Sequence, residues 1–141
     1  MHLRLSLRRI IAVVAVMILC AILAWVYLGH AELTLYVSNQ SRATDPVQIQ
    51  VQVDGTLAVN RDFTFGTGHG WHEFTLFLRP GSHNIVVTSR NGQAELEQSF
   101  FVFWPHHWAV VDYWHNPAGH PVIPKSPCFS FHIQMYKLYF M

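Results

Sequence analysis

The sequence predicts an all-β protein, an antiparallel sandwich of about eight short strands preceded by one N-terminal transmembrane helix. Three observations carry this: an uncharged apolar run from Ile10 to Leu28, apolar/polar alternation from Val47 onward, and recurrent Gly, Pro and Asn turns. The chain divides into a basic cytoplasmic N-terminus (1–9), a membrane anchor (10–29) and an extracytoplasmic domain (30–141). About 110 residues suffice for one compact domain with its own core and are too few for two.

The anchor comes first. Ile10 to Leu28 spans nineteen residues without a charge. As a helix rising about 1.5 Å per residue it reaches about 28 Å, close to the ~30 Å hydrocarbon core of a bilayer. It lacks the polar face that a helix of a soluble core keeps. Arg4, Arg8 and Arg9 precede it with no acid among them, and such basic flanks stay on the cytoplasmic side. Trp25 and Tyr27 stand at the other end, where amphipathic rings settle at the interface. Arg8 and Arg9 inside, with Trp25 and Tyr27 outside, describe a single-pass signal-anchor whose first partner is the lipid bilayer. The alternative is secretion after cleavage near Ala31, because Gly29-His30-Ala31 places small residues where a signal peptidase reads them. The run exceeds the roughly 7–15 residues of a signal's core, which favours the anchor. A lipoprotein signal at Cys20 is excluded by Leu19, which stands where a small residue is needed.

The strands follow. Leu33 to Ser38 opens the domain, and Val47-Gln48-Ile49-Gln50-Val51-Gln52-Val53 alternates with period two, one face buried and one wet. Asp54-Gly55 suits the positive backbone angles of a tight hairpin turn, so Leu57 to Phe65 returns alongside. Phe74, Leu76 and Leu78 alternate, Pro80-Gly81 turns the chain, and His83 to Ser89 is the next strand. Asn91-Gly92 makes another tight hairpin into Gln93 to Phe103, where Ala94, Leu96, Phe100 and Val102 share a face opposite Glu95, Glu97 and Ser99. His107 to Trp114 comes next. Four prolines between Asn116 and Pro127 stiffen a long connection, since proline lacks a donor N–H and is confined to edges and loops. Cys128 to Ile133 then completes an edge, with Phe129, Phe131 and Ile133 inward and Ser130 and His132 outward. The apolar tail Tyr136 to Met141 either packs on the domain or marks a contact surface.

The run Val53-Asp54-Gly55, then Leu78-Arg79-Pro80-Gly81-Ser82-His83-Asn84-Ile85-Val86-Val87, resembles PEGA-like and other immunoglobulin-like extracytoplasmic modules over roughly residues 33–103. The resemblance implies an immunoglobulin-like sandwich. It implies no functional residue, because these motifs record turn chemistry and strand alternation.

Charge narrows the partners. Once the three N-terminal arginines are set aside, six basic and eight acidic residues remain, without a basic cluster. That excludes a phosphate-backbone footprint, so nucleic acid is not expected. Cys20 lies in the apolar run and Cys128 outside it, so they cannot pair within one chain. Asn39-Gln40-Ser41 is a glycosylation acceptor if the secretory pathway is eukaryotic.

Two constellations could carry chemistry. Ten histidines are present, eight between His69 and His132, and His69, His72, His106, His115 and Cys128 form a candidate copper or zinc set. His106 and His107 are adjacent in a strand and point oppositely. Cys128-Phe129-Ser130-Phe131 resembles the Cys-Phe-Cys-Phe motif of membrane-anchored copper chaperones of cytochrome oxidase. Serine stands for the second cysteine, and half of the thiolate pair that soft metals need is gone. The second constellation is Trp104, His106, Trp108 and Trp114, at alternating positions of one strand face with Asp112 among them, a stripe that stacks a sugar ring or binds a peptide, or else is core-facing or covers a sheet face. No nucleophile elbow, carboxylate pair or calcium loop occurs. The expectation is therefore a non-enzymatic module without a cofactor, binding a protein partner in a membrane or envelope complex. A carbohydrate- or metal-binding module is the alternative.

Overall fold

The computed structural model describes residues 2–41, 43–65, 70–118 and 125–137, with side chains from residue 7 onward. Helix α1 spans His2–Leu28, starting earlier than the uncharged run because Arg8 and Arg9 continue the helix without a breaker. Its apolar part, Leu7–Leu28, has a mean hydropathy of 2.9 and none of its most apolar stretch is buried against the rest of the chain. Eight strands follow: β1 Ala31–Asn39, β2 Val47–Val53, β3 Thr56–Phe63, β4 His72–Leu78, β5 Gly81–Ser89, β6 Ala94–Val102, β7 His106–Trp114 and β8 Cys128–Gln134.

They form two four-stranded sheets, ordered β4-β1-β7-β8 and β3-β2-β5-β6. The expected sandwich is present, with β8 at an edge. One pairing departs from the antiparallel rule: β1 runs parallel to β7, with Leu35 opposite Ala109. The reason lies in connectivity. Both strands start at the helix end of the sandwich, where the Glu32 N–H donates to the Pro105 carbonyl at 2.8 Å. Parallel neighbours need a long crossover, and here the five strands between them supply it.

Alternation builds the core. Leu33, Leu35 and Val37 of β1, and Ala109, Val111 and Tyr113 of β7, face Val47, Ile49, Val51, Ile85 and Val87 of the other sheet, all without solvent exposure. Phe129 and Phe131 of β8 close one side, and Phe131 packs on Phe100 of β6 with ring centres 5.6 Å apart.

Turn chemistry is partly as expected. Asp54 (φ 51°) and Gly55 (φ 75°) both adopt the left-handed conformation that a two-residue hairpin requires. The Asn91-Gly92 turn differs. Ser89 pairs with Ala94 across four residues, and the positive φ falls on Gln93 (50°). Gly92 serves space instead: a Cβ there would lie 2.5 Å from Ser89 Oγ and 2.8 Å from the Tyr113 ring. The Tyr113 hydroxyl, in turn, donates to the Gly92 carbonyl at 3.0 Å.

Helix and sandwich meet at a built joint. The Gly29 N–H continues the helical ladder to the Trp25 carbonyl at 2.8 Å. A Cβ on Gly29 would collide with that carbonyl and come within 2.6 Å of the Trp25 ring. The indole N–H of Trp25 donates to the Phe103 carbonyl, 2.9 Å away and 78 residues on.

Candidate functional site, the outer face of the first sheet

Within β7 the odd positions enter the core and the even ones face out, so His106, Trp108, Val110, Asp112 and Trp114 share the outer surface. Strand pairing brings Thr34, Tyr36 and Ser38 of β1 to one side of them and Ser130, His132 and Gln134 of β8 to the other. Trp71, just before β4, joins from the edge.

Asp112 sits near the middle. Its Oδ1 accepts from Ser38 Oγ at 2.5 Å and from the Trp71 indole N–H at 2.9 Å. Gln40 Nε2 donates to Ser38 Oγ at 2.8 Å, extending the network along the loop after β1. Burial pushes the Asp112 carboxyl above its ordinary range; the bonds from Ser38 and Trp71 and the nearness of His132 oppose this without cancelling it. On the far side, the Trp114 indole donates to Ser130 Oγ at 3.1 Å. His106 and Trp108 stack nearly parallel, their centres 6.3 Å apart. Tyr36 lies opposite Glu73 of β4, and burial, then that carboxylate, raises its phenol. Beneath this layer Thr34, Ser38 and Val110 are buried although they point away from the core. The face is thus a sheet covered by half-exposed aromatic side chains, of which Trp71 is held by the desolvated Asp112 carboxyl and Trp114 by the Ser130 hydroxyl.

The expected tryptophan stripe is there in part. Trp108 and Trp114 hold the positions the alternation gives them. Trp104 lies in the turn before β7, exposed at the helix end of the domain. Trp71, Tyr36 and Ser38, absent from the expected set, complete the cluster; their sequence distance from Asp112 hid them.

The candidate metal ligands do not converge. His106 begins β7 and His115 follows its end, which at ~3.3 Å per residue separates them by roughly 30 Å. Cys128 is paired with Trp114 at that same far end. The His72 ring packs edge-on against Phe63 at 5.2 Å. His106 lies 3.9 Å from Glu32, and His115 Nδ1 is 3.0 Å from Thr44 Oγ1. His69 falls outside the described residues. Among the described residues no group of three or more His, Cys, Asp or Glu is placed to hold a metal. Cys128 is a free, half-buried thiol, and burial raises it above its ordinary value.

Asn39, the acceptor residue of the glycosylation motif, is only 2% exposed. Its Nδ2 donates to the carbonyls of Thr44 at 2.9 Å and Phe63 at 3.2 Å, while Oδ1 accepts from the Ser41 N–H at 2.8 Å. A glycan on that nitrogen would remove one of those N–H donors and needs space the folded domain lacks, so Asn39 is a structural latch. Compared with protein-family models and with curated proteins, the chain shows no match to either.

Proposed function

We propose that this chain is a single-pass membrane protein, N-terminus cytoplasmic, that holds an immunoglobulin-like sandwich of the PEGA-like kind outside the membrane. Its outer aromatic face binds a protein partner of a membrane or envelope complex, without catalysis. One observation carries the reading: Asp112, desolvated and above its ordinary pKa, holds the Trp71 indole on the same open sheet face that carries Trp108 and Trp114. A desolvated carboxylate is a cost to the fold, and such costs gather where a surface is put to use. Rigid, half-exposed tryptophans are the side chains that dominate protein interfaces. The anchor is supported by the joint as well. Cleavage after Ala31 would remove Gly29 and Trp25 and take out Ala31, which is fully buried and paired with Leu78 in β1.

The test uses the full chain in its own membranes. Trp108→Ala is expected to fold normally and to lower the copurified partner at least tenfold. Asp112→Asn keeps only a weaker, uncharged acceptor for Ser38 and Trp71, and is expected to weaken binding modestly while stabilising the domain at neutral pH. The sign follows from the raised carboxyl: the folded state prefers the protonated form, so the charge destabilises it above that pKa, and an uncharged isostere recovers the difference. Unchanged copurification in both variants would refute the reading. Sequencing the N-terminus of the membrane fraction checks the anchor, and a chain beginning at Glu32 would remove it. The stacked His106–Trp108 pair favours a second reading, a platform for a sugar ring. Saturable binding to a glycan, lost in Trp108→Ala, would replace the protein partner with that one.

A further inference from the structure

The two ends of the sandwich differ in what they expose. Beyond the helix, every exposed large apolar side chain among the described residues lies at the end where the helix enters. Leu57 follows the β2–β3 turn, Phe77 stands one residue from the end of β4, and Phe101, Phe103 and Trp104 surround the β6–β7 turn. Met135 and Tyr136 follow β8, which ends there because it runs antiparallel to β7. Phe77 and Phe101 are 69% and 59% exposed. They sit on the outer faces of different sheets, so the apolar groups encircle the end and do not form a single flank.

We infer that this rim rests in the interfacial layer of the membrane that α1 crosses, with the sandwich standing end-on and the outer aromatic face of the first sheet clear of the lipid. The inference builds on the anchor reading above. The joint makes it geometrically tight. The Phe103 carbonyl is 2.9 Å from the indole nitrogen of Trp25, and Trp25 lies within the last turn of the apolar helix. A span ending at Leu28 with Trp25 at the interface therefore carries Phe103 to the same depth. The connection from Leu28 to β1 is only Gly29 and His30, too short to lift the domain away.

The chemistry of the rim suits that layer. Aromatic side chains settle where headgroups meet acyl chains. Polar groups at this end close on one another: Asp54 accepts from the Asn84 N–H at 2.9 Å and lies 2.6 Å from His83 Nδ1, and Glu32 lies 3.9 Å from His106. Arg79 and Lys137 are exposed there and suit anionic headgroups. An apolar recess of about 230 Å³ opens beside Leu57, Leu76, Phe77 and Leu78, giving acyl chains a place to enter.

The test is depth measurement on the full chain carrying Cys20→Ala and Cys128→Ala, in vesicles of phosphatidylcholine and phosphatidylglycerol. A nitroxide is attached singly at Val16→Cys, Phe77→Cys, Phe101→Cys or Arg90→Cys, and its collisions with oxygen and with a water-soluble nickel chelate are compared. Arg90 lies in the turn at the opposite end. The expected result is Val16 deep in lipid, Phe77 and Phe101 at the interface with an oxygen-to-nickel ratio severalfold above that of Arg90, and Arg90 in water. Val16 in lipid with Phe77 and Phe101 as wet as Arg90 would overturn the docking and leave the anchor standing. Val16 in water would overturn both.

Discussion

The end of the sandwich far from the helix is held by polar side chains, whereas the near end presents apolar ones. At the far end, Asn39 ties the loop after β1 to Thr44 and Phe63, Ser41 Oγ donates to the His115 carbonyl at 2.8 Å, and Asn91 accepts from the Gln48 N–H and donates to the Pro46 carbonyl, each at 2.8 Å. Each of these bonds satisfies a backbone group that a loop would otherwise leave to water. At the near end the turns are shorter, and the surplus of aromatic surface goes unburied. On the docking proposed above, one fold solves two solvent problems: loops facing water are latched from within, and turns facing lipid need only present the right surface.

The sharpest way to break the comparison is to cut a latch. Asn39→Ala removes three hydrogen bonds and leaves partners unmet at buried Ser41 and Phe63 and half-buried Thr44, so a loss of about 3 kcal/mol is expected at about 1 kcal/mol for each. Urea unfolding of the full chain in detergent, followed by near-ultraviolet circular dichroism, measures it. A loss below about 1 kcal/mol would show that these loops are held by packing alone.

The two crowded glycines come next, one at each end. Gly92→Ala forces a methyl against Ser89 and the Tyr113 ring, both held in the core, and is expected to cost about 2 kcal/mol by overpacking. Gly29→Ala meets only the Trp25 turn. It should leave the sandwich as stable as before while separating Trp25 from Phe103, read as a changed Trp25 emission in a variant lacking the other tryptophans. Equal destabilisation by both would mean that the joint is part of the domain's cooperative unit, which the two-ended picture does not allow.

Much of this architecture is legible in the sequence because alternation is a local signal. Val47 to Val53 writes its buried face every second residue, Asp54-Gly55 writes a turn, and Phe129 and Phe131 declare their side of β8. The parallel pairing of β1 and β7 leaves no such mark, since it depends on which end of the sandwich the chain enters. The outer-face site is legible only along β7. Trp108, Asp112 and Trp114 follow from spacing, but Ser38 and Trp71 reach Asp112 across 74 and 41 residues. Asn39 shows the opposite hazard: a three-residue motif read for chemistry turns out to name a buried latch. Adjacent histidines are separated correctly, with His106 exposed and His107 only 2% exposed, because neighbours on a strand must face opposite ways.

His107 supplies the smallest of the expected effects and the one that bears most directly on the near end. Neither ring nitrogen has a hydrogen-bond partner among the described residues, and the ring packs edge-on to Phe103 at 5.8 Å. Burial lowers its pKa below 6.5; the Trp104 backbone lies close enough to oppose the shift slightly, but its geometry does not close a hydrogen bond. Below pH 6.5 the unfolded chain binds a proton that the folded chain resists, so stability is complete above that value and falls as the pH drops toward the lowered pKa. His107→Leu removes both the unsatisfied nitrogens and the titration. It is expected to raise stability by about 1 kcal/mol at neutral pH and to flatten the decline below pH 6.5. The measurement is urea midpoint against pH in detergent, for the parent and the variant. A decline that persists in His107→Leu would move the acid sensitivity to another group and leave the near end without a titrating residue beneath its aromatic rim.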